Sequence, residues 1–161
     1  MATVELSSNY GFVVLIVVAK FVLNVWMMLQ VGKARKRYKV PYPTLYALES
    51  ENKEAKLFNC VQRGHQNTLE LMPLFLTLLL LGGLKYPIVA ALFGALYIVT
   101  RYFYFTGYST GIPDNRLSIG YSSDLSILDG FWMFDSCRKF SFIGLLGLLV
   151  CTFLFGIGLL F

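Results

Sequence analysis

Histidine occurs once in this chain, at His65, and cysteine three times, at Cys60, Cys137 and Cys151. A single histidine outside any CxxC or HxxxH pattern leaves no spacing for a metal centre. Three scattered cysteines build no disulfide framework. Aspartate is scarce as well, with all four residues at or beyond Asp114. Charge of either sign is thin, at 14% of residues against roughly a quarter in soluble domains. What fills the space is apolar: 57% of 161 residues, with a mean hydropathy of +0.63. That balance excludes a soluble globular domain. The length suits one compact, all-α bundle of a few membrane-spanning helices.

The net charge of +5 is local. Lys33, Arg35, Lys36, Arg37, Lys39, Lys53, Lys56 and Arg63 fall between the first two apolar runs, opposed there only by Glu49, Glu51 and Glu54. A basic loop held between two spans is a poor nucleic-acid surface and a good cytosolic orientation signal. Its sharper role would be to draw an anionic ligand to the membrane face through Arg35 and Lys36.

Four spans are expected, at about 10–31, 62–81, 87–108 and 140–161, in up-down order within a single domain covering 1–161. The first is too long for a secretory signal and lacks its positive start. About 22 residues at 1.5 Å rise give roughly 33 Å, enough to cross a bilayer. Lys20 and Asn24, spaced i, i+4, interrupt it and are expected to face other helices, with Glu70 a conceivable partner for Lys20. Gly82–Gly83 and Tyr86–Pro87 read as a tight turn between the second and third spans. Gly144, Gly147, Gly156 and Gly158 would permit close helix contacts in the last span. Four spans place both termini on the lumenal side and both polar loops in the cytosol.

Chemistry concentrates where the basic loop meets the second span, in FNCVQRGHQNTLELMPLFL (58–76). Arg63, Asn67 and Glu70 at i, i+4, i+7 share one helical face. Polar groups at the edge of an apolar span are costly unless they face a neighbouring helix, a wet cavity or a polar ligand. Pro73 follows, where a helix loses a hydrogen bond and tends to kink. In the third span Tyr97, Arg101, Tyr104 and Tyr108 form a second stripe, which an aromatic belt alone does not require. We read it as ligand-facing. The segment 121–138 departs from the rest. It holds Asp124, Asp129 and Asp135 with Trp132, and matches neither the basic loop nor a span. It reads as an amphipathic surface segment or an insertion, since RLSIG (116–120) would join KFSFIGLLGLL (139–149) smoothly without it.

Four spans, KARKRYKV (33–40), FNCVQRGHQNTLE (58–70) followed by Pro73, and RYFYFTGYSTG (101–111) together resemble the membrane-associated proteins in eicosanoid and glutathione metabolism. The resemblance implies a homotrimer in the endoplasmic reticulum membrane, with glutathione bound between subunits towards the cytosol. It implies glutathione contacts at Arg35, Arg63, His65, Asn67, Glu70, Tyr104 and Tyr108. Arg116 would stabilise the glutathione thiolate, and Lys36, which stands where some relatives carry a second arginine, joins it in the catalytic set. Leu71 departs from the pattern, replacing a tyrosine found in the leukotriene-conjugating members. The implied activity is glutathione transfer to electrophilic lipids or reduction of lipid hydroperoxides, with no cofactor beyond glutathione as co-substrate. The alternative is a non-catalytic adaptor that presents lipid to a partner enzyme.

Overall fold

A computed structural model describes residues 6–117 and 136–160. Among the described residues five α-helices make four spans: α1 (Tyr10–Arg37), α2 (Ala55–Glu70), α3 (Met72–Lys85), α4 (Pro87–Tyr108) and α5 (Ser136–Leu160). Helices α2 and α3 are nearly continuous and cross together as one 31-residue span. Leu71 separates them, and Pro73 sits in the first turn of α3, where its missing N–H costs little. The expected kink is thus a one-residue break. No strand occurs among the described residues, and the four-span, up-down, all-α bundle is as expected.

The helices overrun their expected bounds where side chains outside the membrane still have packing partners. Helix α1 continues to Arg37 and ends on the basic turn Arg35–Arg37, which complements the negative end of the helix dipole. Helix α2 begins at Ala55, seven residues before the expected start, because Ala55, Phe58 and Val61 bury one face against α1 and α4. Helix α5 begins at Ser136, so only 136–138 of the segment read as an insertion fall within the described residues; 121–135 lie outside them.

Gly82 and Gly83 do not form the turn. They remain inside α3, and Tyr86 alone connects α3 to α4. A Cβ on Gly82 would come within 2.9 Å of Cys151, and one on Gly83 within 2.8 Å of Val13. These glycines let α5 and α1 approach α3, the use of small residues that membrane packing favours.

Two apolar cores result. One lies at the basic end of the bundle around Met27, Phe58 and Phe105; the other lies deeper, around Val13, Phe75, Leu79, Tyr97 and Leu148. Outward faces of α1, α4 and α5 stay apolar, with Leu15, Phe21, Leu92 and Phe153 each more than 60% exposed. A soluble monomer rarely leaves such continuous apolar flanks uncovered.

The loop 38–54 is folded onto α1 and α2. The Asn59 amide brackets Ala47, accepting from its N–H at 2.8 Å and donating to its carbonyl at 2.9 Å. Asn52 Nδ2 donates to the Tyr38 carbonyl at 2.8 Å. Arg35 Nη1 donates to the carbonyls of Thr44 (2.7 Å), Pro41 (3.3 Å) and Val40 (3.4 Å).

Candidate functional site

The depth of the polar residues follows from helical rise. Lys85 marks one end of the α2–α3 span. Glu70 lies about 22 Å along the axis from it and Arg63 about 33 Å, against a hydrocarbon core of roughly 30 Å. On α4 the same rise puts Arg101 about 21 Å and Tyr108 about 32 Å from Pro87. Both stripes therefore reach the same border, at the basic end.

There they meet. Arg63 Nη1 pairs with Glu70 Oε1 at 2.7 Å, and both side chains are nearly half exposed. Arg101 is buried and donates from Nη2 to Asn67 Oδ1 at 2.9 Å and to Thr68 Oγ1 at 2.7 Å. Its guanidinium carbon lies 4.0 Å from the centroid of the Tyr104 ring, and the Tyr104 and Tyr108 rings are 5.8 Å apart.

Arg116 arrives from a different element. A short 3-10 helix, Pro113–Leu117, folds back on α4 and sets the Arg116 guanidinium 5.3 Å from the Tyr108 ring centroid, with Nη1 donating to the Pro113 carbonyl at 2.6 Å. Two glycines permit this. Gly107 lies directly beneath the Asn115 carbonyl, where a Cβ would overlap it, and Gly111 adopts φ +84°, a left-handed conformation.

Arg63, Asn67, Glu70, Tyr104, Tyr108 and Arg116 thus gather on one face of the α2–α4 pair. Arg35, Lys36 and His65 do not join them within this chain. Lys36 is exposed on a groove of about 710 Å³ that it shares with Lys33, Lys39, Arg35 and Tyr42. Arg35 is buried between the Tyr42 and Phe58 rings, at 4.4 and 4.9 Å, and ties down the loop 38–54. His65 is half-buried on another side of α2, with Nε2 making no hydrogen bond.

Two expectations need correction. Glu70 pairs with Arg63 and not with Lys20, whose Nζ makes no hydrogen bond and sits 5.7–5.9 Å from the stacked Tyr97 and Phe75 rings. The α4 stripe is not uniformly outward: Tyr97 is fully buried and Arg101 is 3% exposed, so only Tyr104 and Tyr108 reach an open surface. Thr68, absent from the sequence-based set, is part of the arrangement. Its hydroxyl donates to the Gly64 carbonyl at 3.0 Å, which leaves a lone pair for Arg101. A threonine beside the motif asparagine carried no signal of its own.

The arrangement offers an acceptor-rich ligand two half-exposed guanidiniums, an amide and two phenols, and offers an ammonium one carboxylate. The exposed Arg63–Glu70 pair is worth about 0–1 kcal/mol. A ligand carrying both a carboxylate and an ammonium can replace it at little cost.

The MAPEG family matches residues 13–133. Microsomal glutathione S-transferase 2 of Homo sapiens is 34% identical over 116 residues, covering 69% of this chain and 74% of the relative. Its Bos taurus counterpart is 30% identical over 116 residues, covering 69% and 75%. That of Mus musculus is 34% identical over 105 residues, covering 62% and 66%. The motifs taken alone suggest microsomal glutathione S-transferase 3; these matches support the family and do not reach that finer assignment. With four spans, the paired stripes on α2 and α4 and a match over most of its length, the chain belongs to the MAPEG family, the membrane-associated proteins in eicosanoid and glutathione metabolism.

Proposed function

We propose that this chain is a membrane-bound glutathione transferase that holds glutathione at the basic end of α2 and α4 and keeps its sulfur ionised. The observation that carries the reading is the convergence of Arg63, Asn67, Glu70, Tyr104, Tyr108 and Arg116 at one membrane border. Glutathione has two carboxylates, one ammonium, two amides and a thiol. Arg63 suits a carboxylate through its two-pronged donor geometry. Glu70 suits the ammonium, and Asn67 with the tyrosines suits the amide groups and the remaining oxygens.

Arg116 is assigned to the sulfur. A free thiol of this kind has a pKa near ~8.5 and is mostly protonated at neutral pH. Lowering it by about two units takes roughly 2.7 kcal/mol, within reach of one partly desolvated guanidinium. The proton leaves to water. The thiolate then forms a C–S bond with an electrophilic carbon of the lipid as that carbon's bond to its leaving oxygen, or the π bond of an activated alkene, breaks and the displaced electron pair takes up a proton from water. In the peroxidase variant two glutathiones are oxidised to the disulfide while the lipid hydroperoxide is reduced to alcohol and water. The lipid reaches the sulfur sideways from the bilayer.

Arg35 and Lys36 lie on α1, away from the α2–α4 face. A homotrimer in the endoplasmic reticulum membrane, its basic end towards the cytosol, would bring the α1 groove of one subunit, and its His65, to the α2–α4 face of the next. In that assembly Lys36 is the more available cation, since Arg35 already serves the loop.

The test is one detergent-purified preparation assayed for glutathione conjugation and for lipid hydroperoxide reduction. Either activity, dependent on Arg116, supports the reading. Glutathione binding with neither activity would leave the adaptor as the better account.

A further inference from the structure

We propose that Arg101 is a positioning residue for glutathione, acting from beneath the site by fixing Asn67 and Tyr104. The inference rests on the reading of those two residues as glutathione-facing.

Guanidinium groups carry donors and no acceptor. The Asn67 amide must therefore turn its oxygen to Arg101, as the 2.9 Å contact has it. That leaves Nδ2, with its two hydrogens, as the outward end. Asn67 is thereby set as a donor, suited to a carbonyl or carboxylate oxygen of the tripeptide. Without Arg101 the amide could present either end, and half of its orientations would oppose an acceptor with an acceptor.

The second fork of the same nitrogen is held at Thr68 Oγ1, 2.7 Å away, whose own proton is committed to the Gly64 carbonyl. One arginine on α4 thus grips two consecutive residues of α2 and fixes the rotation of that helix as well as the amide. Its flat face backs the Tyr104 ring at 4.0 Å, so the same group orients a second ligand-facing side chain. Arg101 is 3% exposed and lies behind the residues a ligand would touch, so its effect passes through them. A lysine could not reproduce the grip, because an ammonium is a point donor without a planar face.

The test is carried out on the full chain in detergent, with glutathione as the probe, comparing Arg101→Lys, Arg101→Gln, Thr68→Val, Asn67→Ala and the double variant Arg101→Lys with Asn67→Ala. The readouts are the glutathione dissociation constant and the separate KM and kcat of conjugation. Arg101→Lys should weaken glutathione binding and raise its KM about tenfold, with kcat within about threefold of the parent. Thr68→Val should cost about two- to fivefold in KM. Arg101→Gln should bind no better than Arg101→Lys. The double variant should be little worse than Asn67→Ala alone, because the two residues act as a unit.

A merely structural role would lower kcat with the active fraction and leave KM alone; that result overturns the proposal. So does simple addition of the two effects in the double variant. Should Arg101→Gln fail to fold, Arg101→Lys and Thr68→Val decide the matter. If Asn67→Ala itself binds glutathione normally, the reading of the site fails first and takes this inference with it.

Discussion

At the end of α1, Arg35 turns its guanidinium back into its own chain, donating to the carbonyls of Val40, Pro41 and Thr44 between two aromatic rings. On the α2–α4 face, Arg63 pairs with a half-exposed glutamate and lies beside the Tyr46 hydroxyl, and Arg116 donates to the Pro113 carbonyl beside Tyr108. Both regions are basic and lie at the same end of the bundle. The first spends its charge on holding a loop against the helices. The second leaves donors at an open surface, with Arg101 holding Asn67, Thr68 and Tyr104 beneath. The type of residue does not separate loop-holding cations from open ones here. What already occupies their donors does.

If that distinction is right, substitutions in the two regions should fail differently. Arg116→Ala should lower turnover roughly ten- to a hundredfold at neutral pH with glutathione affinity nearly kept, and the deficit should shrink as pH rises towards ~8.5, where the free thiol ionises unaided. Steady-state kinetics over a pH series checks this, and an unchanged rate removes Arg116 from the mechanism. Gly107→Ala, which pushes the Asn115 carbonyl off α4 and Arg116 with it, should cost turnover roughly tenfold or more. The same assay, beside a far-ultraviolet spectrum to confirm the fold, reads that effect. Arg63→Ala should raise the glutathione dissociation constant about ten- to thirtyfold, the worth of a charge-assisted hydrogen bond, with little change in thermal stability. Arg35→Gln should do the reverse: about 1–3 kcal/mol of stability lost as buried carbonyls go unpaired, and a smaller change in affinity than for Arg63→Ala. Melting curves and binding isotherms on the two variants together would expose a shared role if their profiles coincide.

Much of this was legible in the sequence because it depends on periodicity and length. Four apolar runs long enough to cross a bilayer gave four spans, and the i, i+4, i+7 spacing put Arg63, Asn67 and Glu70 on one face, where they stand. What escaped depends on neighbours that are distant in the chain. Gly82 and Gly83 read as a turn, yet they are contact residues, because Cys151 and Val13 come up against them. Arg101 read as a ligand-facing member of a stripe, yet it is buried, because α2 offers Asn67 and Thr68 within reach. Arg35 carried a binding expectation whose competitor, the folded loop 38–54, is a tertiary fact. The start of α2 was placed late because Ala55, Phe58 and Val61 are buried by α1 and α4 outside the apolar run.

The central claim is that the α2–α4 face binds glutathione and ionises its sulfur. The most direct measurement is the ultraviolet thiolate absorbance on adding glutathione, at neutral pH, to the purified full-length chain and to Arg116→Ala. The account predicts a saturable thiolate band in the parent chain that is lost in the variant while glutathione still binds. A parent chain that binds glutathione with no thiolate signal, or does not bind it at all, would contradict it.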